Sequence, residues 1–328
     1  MQHRELGTQG LRVSALGLGT MGQTFTSTAS DEQQRAATIR RAHELGIDFF
    51  DTAEIYGFGT GSSEILLGNA LKEVRDEVVL ATKFGFDMKV EPMGSASNSR
   101  PENIRAALEN SLRYLQTDRV DLYYQHIADP AVPVEEVAGV IGELIAEGKV
   151  LYFGLSNVGP QYVRRAHAVT PVTALQYEYS IFEREVESTL PVLRELGIGL
   201  VPWSPLGKGF LTGDVKPASE YPADDMRGFD DRWQGQNYDV NLRAVQQLKE
   251  LAAEKGITAA QLALAWLLAQ GEDIVPIPAT RSAARLAENV AAVDVRLEAD
   301  DLTRIREILP EGSAGDRVPA AMAERMPA

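Results

Sequence analysis

The sequence predicts an α/β fold, a (β/α)8 barrel of the TIM type with an N-terminal β-hairpin and a long loop after strand seven. Three observations predict it: eight short apolar runs recur along the chain, helical patterns separate them, and nearly every run ends in a polar residue. Strand-length runs that do not alternate belong to parallel strands buried on both faces. Right-handed crossovers put all the helices outside, and closing the sheet removes both edges.

Around Gly10, ELGTQGLRV reads as a hairpin with glycine at its turn. The first barrel strand is 15–19, and further runs begin near residues 47 (IDFFDTA), 78 (VVLATKFG), 120 (VDLYYQH), 150 (VLYFGLSN), 174 (ALQYEYS), 199 (GLVPWSP) and 273 (DIVPIPAT). Helical periodicity fills 31–45, 63–71, 101–115, 134–146, 160–168, 186–196 and 258–269, and Pro101 suits a first helical turn. The rhythm breaks once, after the run at 199. That gap holds 206–240, rich in Gly, Pro and Asp, which reads as an insertion loop over the active face within one domain spanning 1–328. The tail, 311–328, is expected to be partly disordered or to fold over the barrel. An open doubly wound sheet is the alternative, but SALGLGTMG lacks the GxGxxG turn that such a sheet uses to open a helix on a phosphate.

Composition narrows the partners. A chain of 328 residues with 44% hydrophobic and 24% charged residues can bury a large core. Its net charge of −15 repels nucleic acid and anionic lipid surfaces, so neither is an expected partner and a small soluble molecule is. Having no cysteine, it has no disulfide, thiolate nucleophile or cysteine-bound metal. MQHRELGTQG carries no signal-like apolar run, and no stretch approaches the ~18 apolar residues of a membrane span, so a cytoplasmic location is expected; a monomer is preferred, with an oligomer left open.

In a barrel, chemistry sits at the carboxyl ends of the strands. Those ends carry Asp51, Lys83, His126, Ser156 with Asn157, Gln176, Ser204, and Thr280 with Arg281. A lysine shielded by Phe84 and Phe86 needs a counter-charge, which Asp51 supplies. Tyr56 follows closely in FDTAEIYG. A phenol has an ordinary pKa of about 10, and a nearby cation lowers it toward the working pH, making it a competent acid. His126 can then orient the substrate oxygen. Each also has a structural reading: Tyr56 as a rim aromatic, His126 as a core histidine, Asp51 as a cap.

From RELGTQGLRVSALGLGTMG to LAENV the sequence resembles the aldo-keto reductase family, with FFDTAEIYG, ATKFG and DLYYQH in the family's order. The resemblance implies a reductase of aldehydes or ketones in which Tyr56 is the general acid, Lys83 lowers its pKa, Asp51 holds Lys83, and His126 orients the carbonyl. It also implies a nicotinamide cofactor, since side chains supply no hydride. Ser156, Asn157 and Gln176 would hold its carboxamide and Trp203 would stack on its ring. Ser204, Leu206, Gly207 and Lys208 would meet the pyrophosphate, while Gly19, Thr20 and Met21 would border the nicotinamide ribose. PIPATRSAARLAENV resembles the family's adenosine segment, placing Thr280, Arg281, Arg285, Glu288 and Asn289 around adenine and a 2′-phosphate. NADPH is therefore expected over NADH, although Ala279 stands where the family often has Lys or Gly.

Other polar residues read as structural. His43 and His167 belong to outer helix faces, and Asp121 opens the His126 strand at its far end. Asp224 with Asp225, Asp230 with Asp231, and Asp300 with Asp301 suit solvated turns and caps. No metal site is expected. Two other functions fit the fold: a regulatory subunit that reads NADPH occupancy, and a metal-dependent barrel isomerase or lyase, which would leave Asn157, Gln176 and Trp203 unexplained. Met21, Phe84 and parts of 206–240 are the expected substrate-selecting side chains.

Overall fold

The computed structural model describes residues 1–24, 32–90, 93–222 and 225–317. Asp31, Asp224 and residues 318–328 of the tail lie outside the described residues. Strands β1 (His3–Glu5) and β2 (Arg12–Ser14) form the antiparallel hairpin, turning through Gly7 and Gly10 at φ 77° and 90°. Its Leu6, Leu11 and Val13 join Phe49, Ala81, Leu122, Tyr124, Ala174, Val201 and Val275 in one buried cluster, so the hairpin plugs the amino-terminal end of the barrel. A methyl group on Gly7 would stand 2.5 Å from the Thr173 carbonyl, which is why the plug needs a glycine there.

Seven parallel strands follow in sequence order: β3 (Leu18–Gly19), β4 (Phe49–Asp51), β5 (Val79–Phe84), β6 (Val120–Gln125), β7 (Val150–Ser156), β8 (Val172–Glu178) and β9 (Gly199–Trp203). The eighth expected strand is present as an extended segment, not a regular one. Leu200 N–H donates to Asp273 O, while Val275 and Ile277 N–H donate to Leu200 O and Pro202 O at 2.9 and 3.0 Å. On the other side, Gly17 and Gly19 N–H donate to Pro276 O and Pro278 O at 3.0 and 3.3 Å. The prolines accept from β3 but cannot donate back, so the barrel closes through bonds running one way at this seam. Arg4 of the plug donates to Ile274 O at 2.6 Å and Gly271 O at 2.7 Å, fastening the segment from below.

Helices α1 (Met21–Thr24), α2 (Glu32–Glu44), α3 (Ser62–Leu71), α4 (Pro101–Leu115), α5 (Val134–Ala146), α6 (Pro160–His167) and α7 (Leu190–Leu196) accompany these strands. The helix expected at 186–196 divides into a 3₁₀ turn, Glu185–Ser188, and α7, because Pro191 tolerates only a first helical turn. The insertion departs most from expectation. It folds into 3₁₀ turns at Gly207–Thr212, Ala218–Glu220, Met226–Gly228 and Asp231–Trp233, and its last residues already belong to α8 (Gly235–Glu254). Then come α9 (Ala259–Leu268), opened by a Thr258/Gln261 capping box, α10 (Ala283–Ala291) and α11 (Ala299–Ile308). Of the tail, Ser313 N–H donates to Phe182 O, Ala314 N–H to Asn241, and Arg317 lies over the Tyr177 ring, so its described part packs on the insertion side of the barrel.

Candidate active site

Alternation along the strands carries the apolar interior upward into polar tips: Phe49 to Asp51, Ala81 to Lys83, Tyr124 to His126, Ala174 to Gln176, Val201 to Trp203. Lys83 Nζ donates to Asp51 Oδ1 at 2.5 Å, to Thr52 O at 2.6 Å and to Tyr56 OH at 3.5 Å. Gln176 Nε2 takes the other Asp51 oxygen at 2.8 Å. The ammonium also stands 5.1 and 5.9 Å from the Tyr56 and Tyr124 ring centres. Tyr124 was not singled out from the sequence; its ring occupies the space over Gly154, where a methyl group would be 2.2 Å away. A tyrosine opposite a glycine at strand ends is the signal that could have found it.

Burial alone would lower the Lys83 ammonium, but Asp51 and Tyr56 more than offset it, and its pKa stands above the ordinary lysine value. The cation therefore persists. The expectation that Lys83 brings the phenol down is only half met. Burial pushes Tyr56 up, Lys83 pulls it down, Asp51 pushes it up again, and the net direction is upward. Tyr56 is thus a proton-bearing phenol whose acidity Lys83 rescues in part. Burial first, then Lys83, hold His126 well below the ordinary histidine range, so it is a neutral imidazole. Its ring meets Tyr56 edge-on at 5.9 Å and Phe86 at 5.1 Å.

Glu54 also escaped the sequence reading. Its Oε1 accepts from Gly85 N–H at 3.0 Å and Phe86 N–H at 3.4 Å. Burial, and then the charge of Glu64, push its carboxyl up to about 8. An acid inside a run that ends a buried strand was the available clue.

The expected cofactor residues line the rest of the rim. Asn157 accepts from Trp203 Nε1 at 3.1 Å and donates to Ser156 Oγ at 2.9 Å, so the indole plane is fixed from the end of β7, reaching past β8. Thr20 is buried and donates to Asp51 O at 2.9 Å, which turns its hydroxyl inward, while Met21 is half-buried beside it. Gly19 is a close approach: a methyl group there would stand 2.8 Å from Ile277 O. Phe58, Asn157, Ser204 and Lys208 hold left-handed backbone at φ 56°, 55°, 49° and 54°, a strain that collects at functional loops.

Lys208 is not a lone cation awaiting a phosphate: its Nζ is paired with the buried carboxylate of Asp230. Asp230 also accepts from Arg232 N–H at 3.0 Å, capping a 3₁₀ turn as the sequence suggested, but it is buried and not solvated. Arg232 in turn donates to Glu178 at 2.8 Å and Glu183 at 2.6 Å, anchoring the insertion to the end of β8. Leu206 and Gly207 begin that insertion. At the seam, Thr280 accepts from Ser282 N–H at 3.1 Å, and Ser282 caps α10 through Arg285 N–H. Arg281 and Arg285 are exposed at the start of α10, Glu288 is half-buried and Asn289 is buried. An indole held flat by an amide, a glycine cradle, and a helix start flanked by two arginines form a donor set that fits a nicotinamide dinucleotide.

Of the residues read as structural, Asp121 accepts from Leu80 N–H at 2.8 Å and Arg75 at 2.9 Å, and His167 accepts from Val172 N–H at 3.1 Å. Asp301 completes a capping box with Glu298 at the start of α11. Among the described residues no group of three or more His, Cys, Asp or Glu side chains could hold a metal ion, and no helix is long and apolar enough to cross a membrane. A shallow depression lined by Arg75, Glu109, Arg113, Arg119 and Lys149 lies at the opposite end of the barrel, away from this chemistry.

The model of the Aldo/keto reductase family matches residues 15–310. Over 327 residues the chain is 43% identical to "Probable aldo-keto reductase 1" of Glycine max, covering 97% of this chain and 92% of that protein. The glycerol dehydrogenase AKR11B4 from Gluconobacter oxydans superposes with a TM-score of 0.86 at 27% identity, covering 97% of this chain and 98% of that one. The thermostable aldo-keto reductase Tm1743, solved with the inhibitor epalrestat, gives 0.74 at 28% identity, covering 94% and 100%.

Proposed function

We propose, from the premise that this chain belongs to the aldo/keto reductase family, that it reduces aldehydes or ketones to alcohols with NADPH, using Tyr56 as the general acid. When bound, NADPH supplies the hydride that adds to the carbonyl carbon. The Tyr56 hydroxyl gives its proton to the carbonyl oxygen, and the phenolate left behind faces the Lys83 ammonium until solvent returns a proton. Asp51 keeps that ammonium in place. Neutral His126 donates an N–H to the substrate oxygen and so fixes its position between imidazole and phenol.

The observation that carries this reading is the chain of contacts from Asp51 through Lys83 to Tyr56, beside an uncharged His126 at the mouth of the barrel. Trp203, held by Asn157, supports a stacked nicotinamide, with Ser156 of β7 and Gln176 of β8 on the adjoining strands to meet its carboxamide. Arg281 and Arg285 at the start of α10 support the 2′-phosphate and hence NADPH. The substrate is a small soluble carbonyl compound.

Oxidation of NADPH and of NADH with a panel of aldehydes and ketones tests this, together with glycerol and NADP in the reverse direction. Expected are turnover with NADPH and its loss in Tyr56→Phe. Full turnover in Tyr56→Phe would overturn the acid assignment, and tight NADPH binding with no turnover of any carbonyl would favour a regulatory subunit.

A further inference from the structure

Glu54 lies two residues before Tyr56 but shares none of the contacts among Asp51, Lys83 and Tyr56. It faces the other way. Its backbone N–H donates to Lys83 O at 3.3 Å, and one carboxyl oxygen, Oε1, takes both Gly85 N–H and Phe86 N–H. These two residues turn the chain off the end of β5. Gly85 has φ 126°, and a methyl group on it would come within 3.2 Å of Ile127 O, so the turn lies tightly against the strand that bears His126. His126 N–H is bonded to Phe84 O at 2.8 Å, and the Phe86 ring stands edge-on to the imidazole at 80°. One acceptor atom thus fixes the turn from which an aromatic wall of the imidazole is hung.

We infer that Glu54 is a positioning residue for His126, acting through the Gly85–Phe86 turn and the Phe86 ring to aim the imidazole at the substrate oxygen. This rests on the reading of His126 given above. The ionisable groups around the carboxyl are Glu64 on α3 and Tyr123 on β6. Because burial and Glu64 hold Glu54 up near 8, it carries its proton at neutral pH. A neutral amide therefore mimics it: glutamine keeps a carbonyl oxygen where Oε1 accepts, and alanine removes it.

The test compares Glu54→Ala, Glu54→Gln and Phe86→Leu in the full chain. It reads kcat/KM for one reducible aldehyde, NADPH affinity by Trp203 quenching, and the ring NMR signals of His126 among the chain's 4 histidines. In Glu54→Ala, kcat/KM should fall about tenfold to hundredfold, as for a reacting group misplaced by about an ångström, with NADPH affinity held and the His126 signals moved. Glu54→Gln should restore rate and signals to within about twofold of the parent. A merely structural acid would leave the His126 signals where they are. Should Glu54→Ala fail to fold, Phe86→Leu keeps the acceptor and removes only the ring, and should lose rate with NADPH affinity held.

The inference is overturned if folded Glu54→Ala keeps its rate, if Glu54→Gln is as impaired as Glu54→Ala, or if Phe86→Leu keeps its rate. Failure of the parent chain to reduce any aldehyde would instead defeat the functional reading. The NMR comparison would still report whether Glu54 positions His126.

Discussion

Lys83→Met removes a buried cation while keeping most of its stem. In the parent, Asp51 is 2% exposed and rests on two donors, Lys83 Nζ at 2.5 Å and Gln176 Nε2 at 2.8 Å. Without the ammonium, a buried carboxylate keeps one neutral donor. Breaking a buried pair from one side costs about 3–5 kcal/mol, against a total stability of roughly 5–15 kcal/mol, so the variant should be severely weakened. Asp51→Asn should also destabilise, since it leaves the ammonium with Thr52 O and an amide. The double variant buries no charge. It should be more stable than Lys83→Met alone, with a coupling of at least about 2 kcal/mol.

The pH dependence follows from the sign of the linkage. Burial already holds the folded-state pKa of Asp51 above its unfolded value in the parent, and removing the cation that pulls it down raises it further. Stability is then fully present below the unfolded pKa and is lost as pH rises through the folded one. Lys83→Met should therefore lose more stability at alkaline than at acid pH. Urea unfolding followed by the fluorescence of the 3 tryptophans measures all four proteins. A loss under about 1 kcal/mol in Lys83→Met, or a double variant as weak as the sum of the singles, would show that Asp51 and Lys83 are not coupled as a buried ion pair.

Glu54 titrates in the same sense. Its folded-state pKa rises from the ordinary 4.5 to about 8, so its contribution is present below 4.5 and fades as pH climbs to about 8. This gives on the order of 5 kcal/mol at most, less after solvent screening, and Glu54→Gln should flatten the parent's decline in stability over that window in pH-dependent melts. Arg232→Ala leaves Glu178 and Glu183 without the cation that bridges them, and should cost about 3–5 kcal/mol and open the insertion to limited proteolysis. Unchanged cleavage would mean that this arginine does not anchor it. Arg285→Ala should raise KM for NADPH about tenfold and leave NADH unchanged; an equal rise for both would remove the 2′-phosphate from the start of α10.

The barrel and the Asp51, Lys83, Tyr56 and His126 group were legible because strand periodicity is local: each of the strand-end residues stands two places beyond a buried apolar one. What was hidden depends on long-range pairing. Pro276 and Pro278 look like ordinary members of an apolar run, yet their missing donors weaken one seam of the barrel. Lys208 looks like a phosphate ligand until Asp230 is brought beside it. The run Gly235, Gln236, Asn237 hides a helix start because its propensity is poor; Asn237 donates to Asp231, and the rest of α8 packs on α9, α11 and the turns of the insertion.

The phenol makes the same point about chemistry. A nearby cation lowers a tyrosine, but the sign of the net shift depends on how much water burial removes, which no spacing reveals. Here burial wins, and Tyr56 holds its proton more tightly than a free phenol. On the proposed reading, in which Tyr56 is the acid, so weak an acid needs its conjugate base stabilised as the proton leaves, and Lys83 would act mainly on the phenolate. Loss of Lys83 should therefore depress kcat far more than it changes the binding of NADPH. A Lys83→Met enzyme with a raised KM but an unchanged kcat would show that the cation serves binding and not proton transfer.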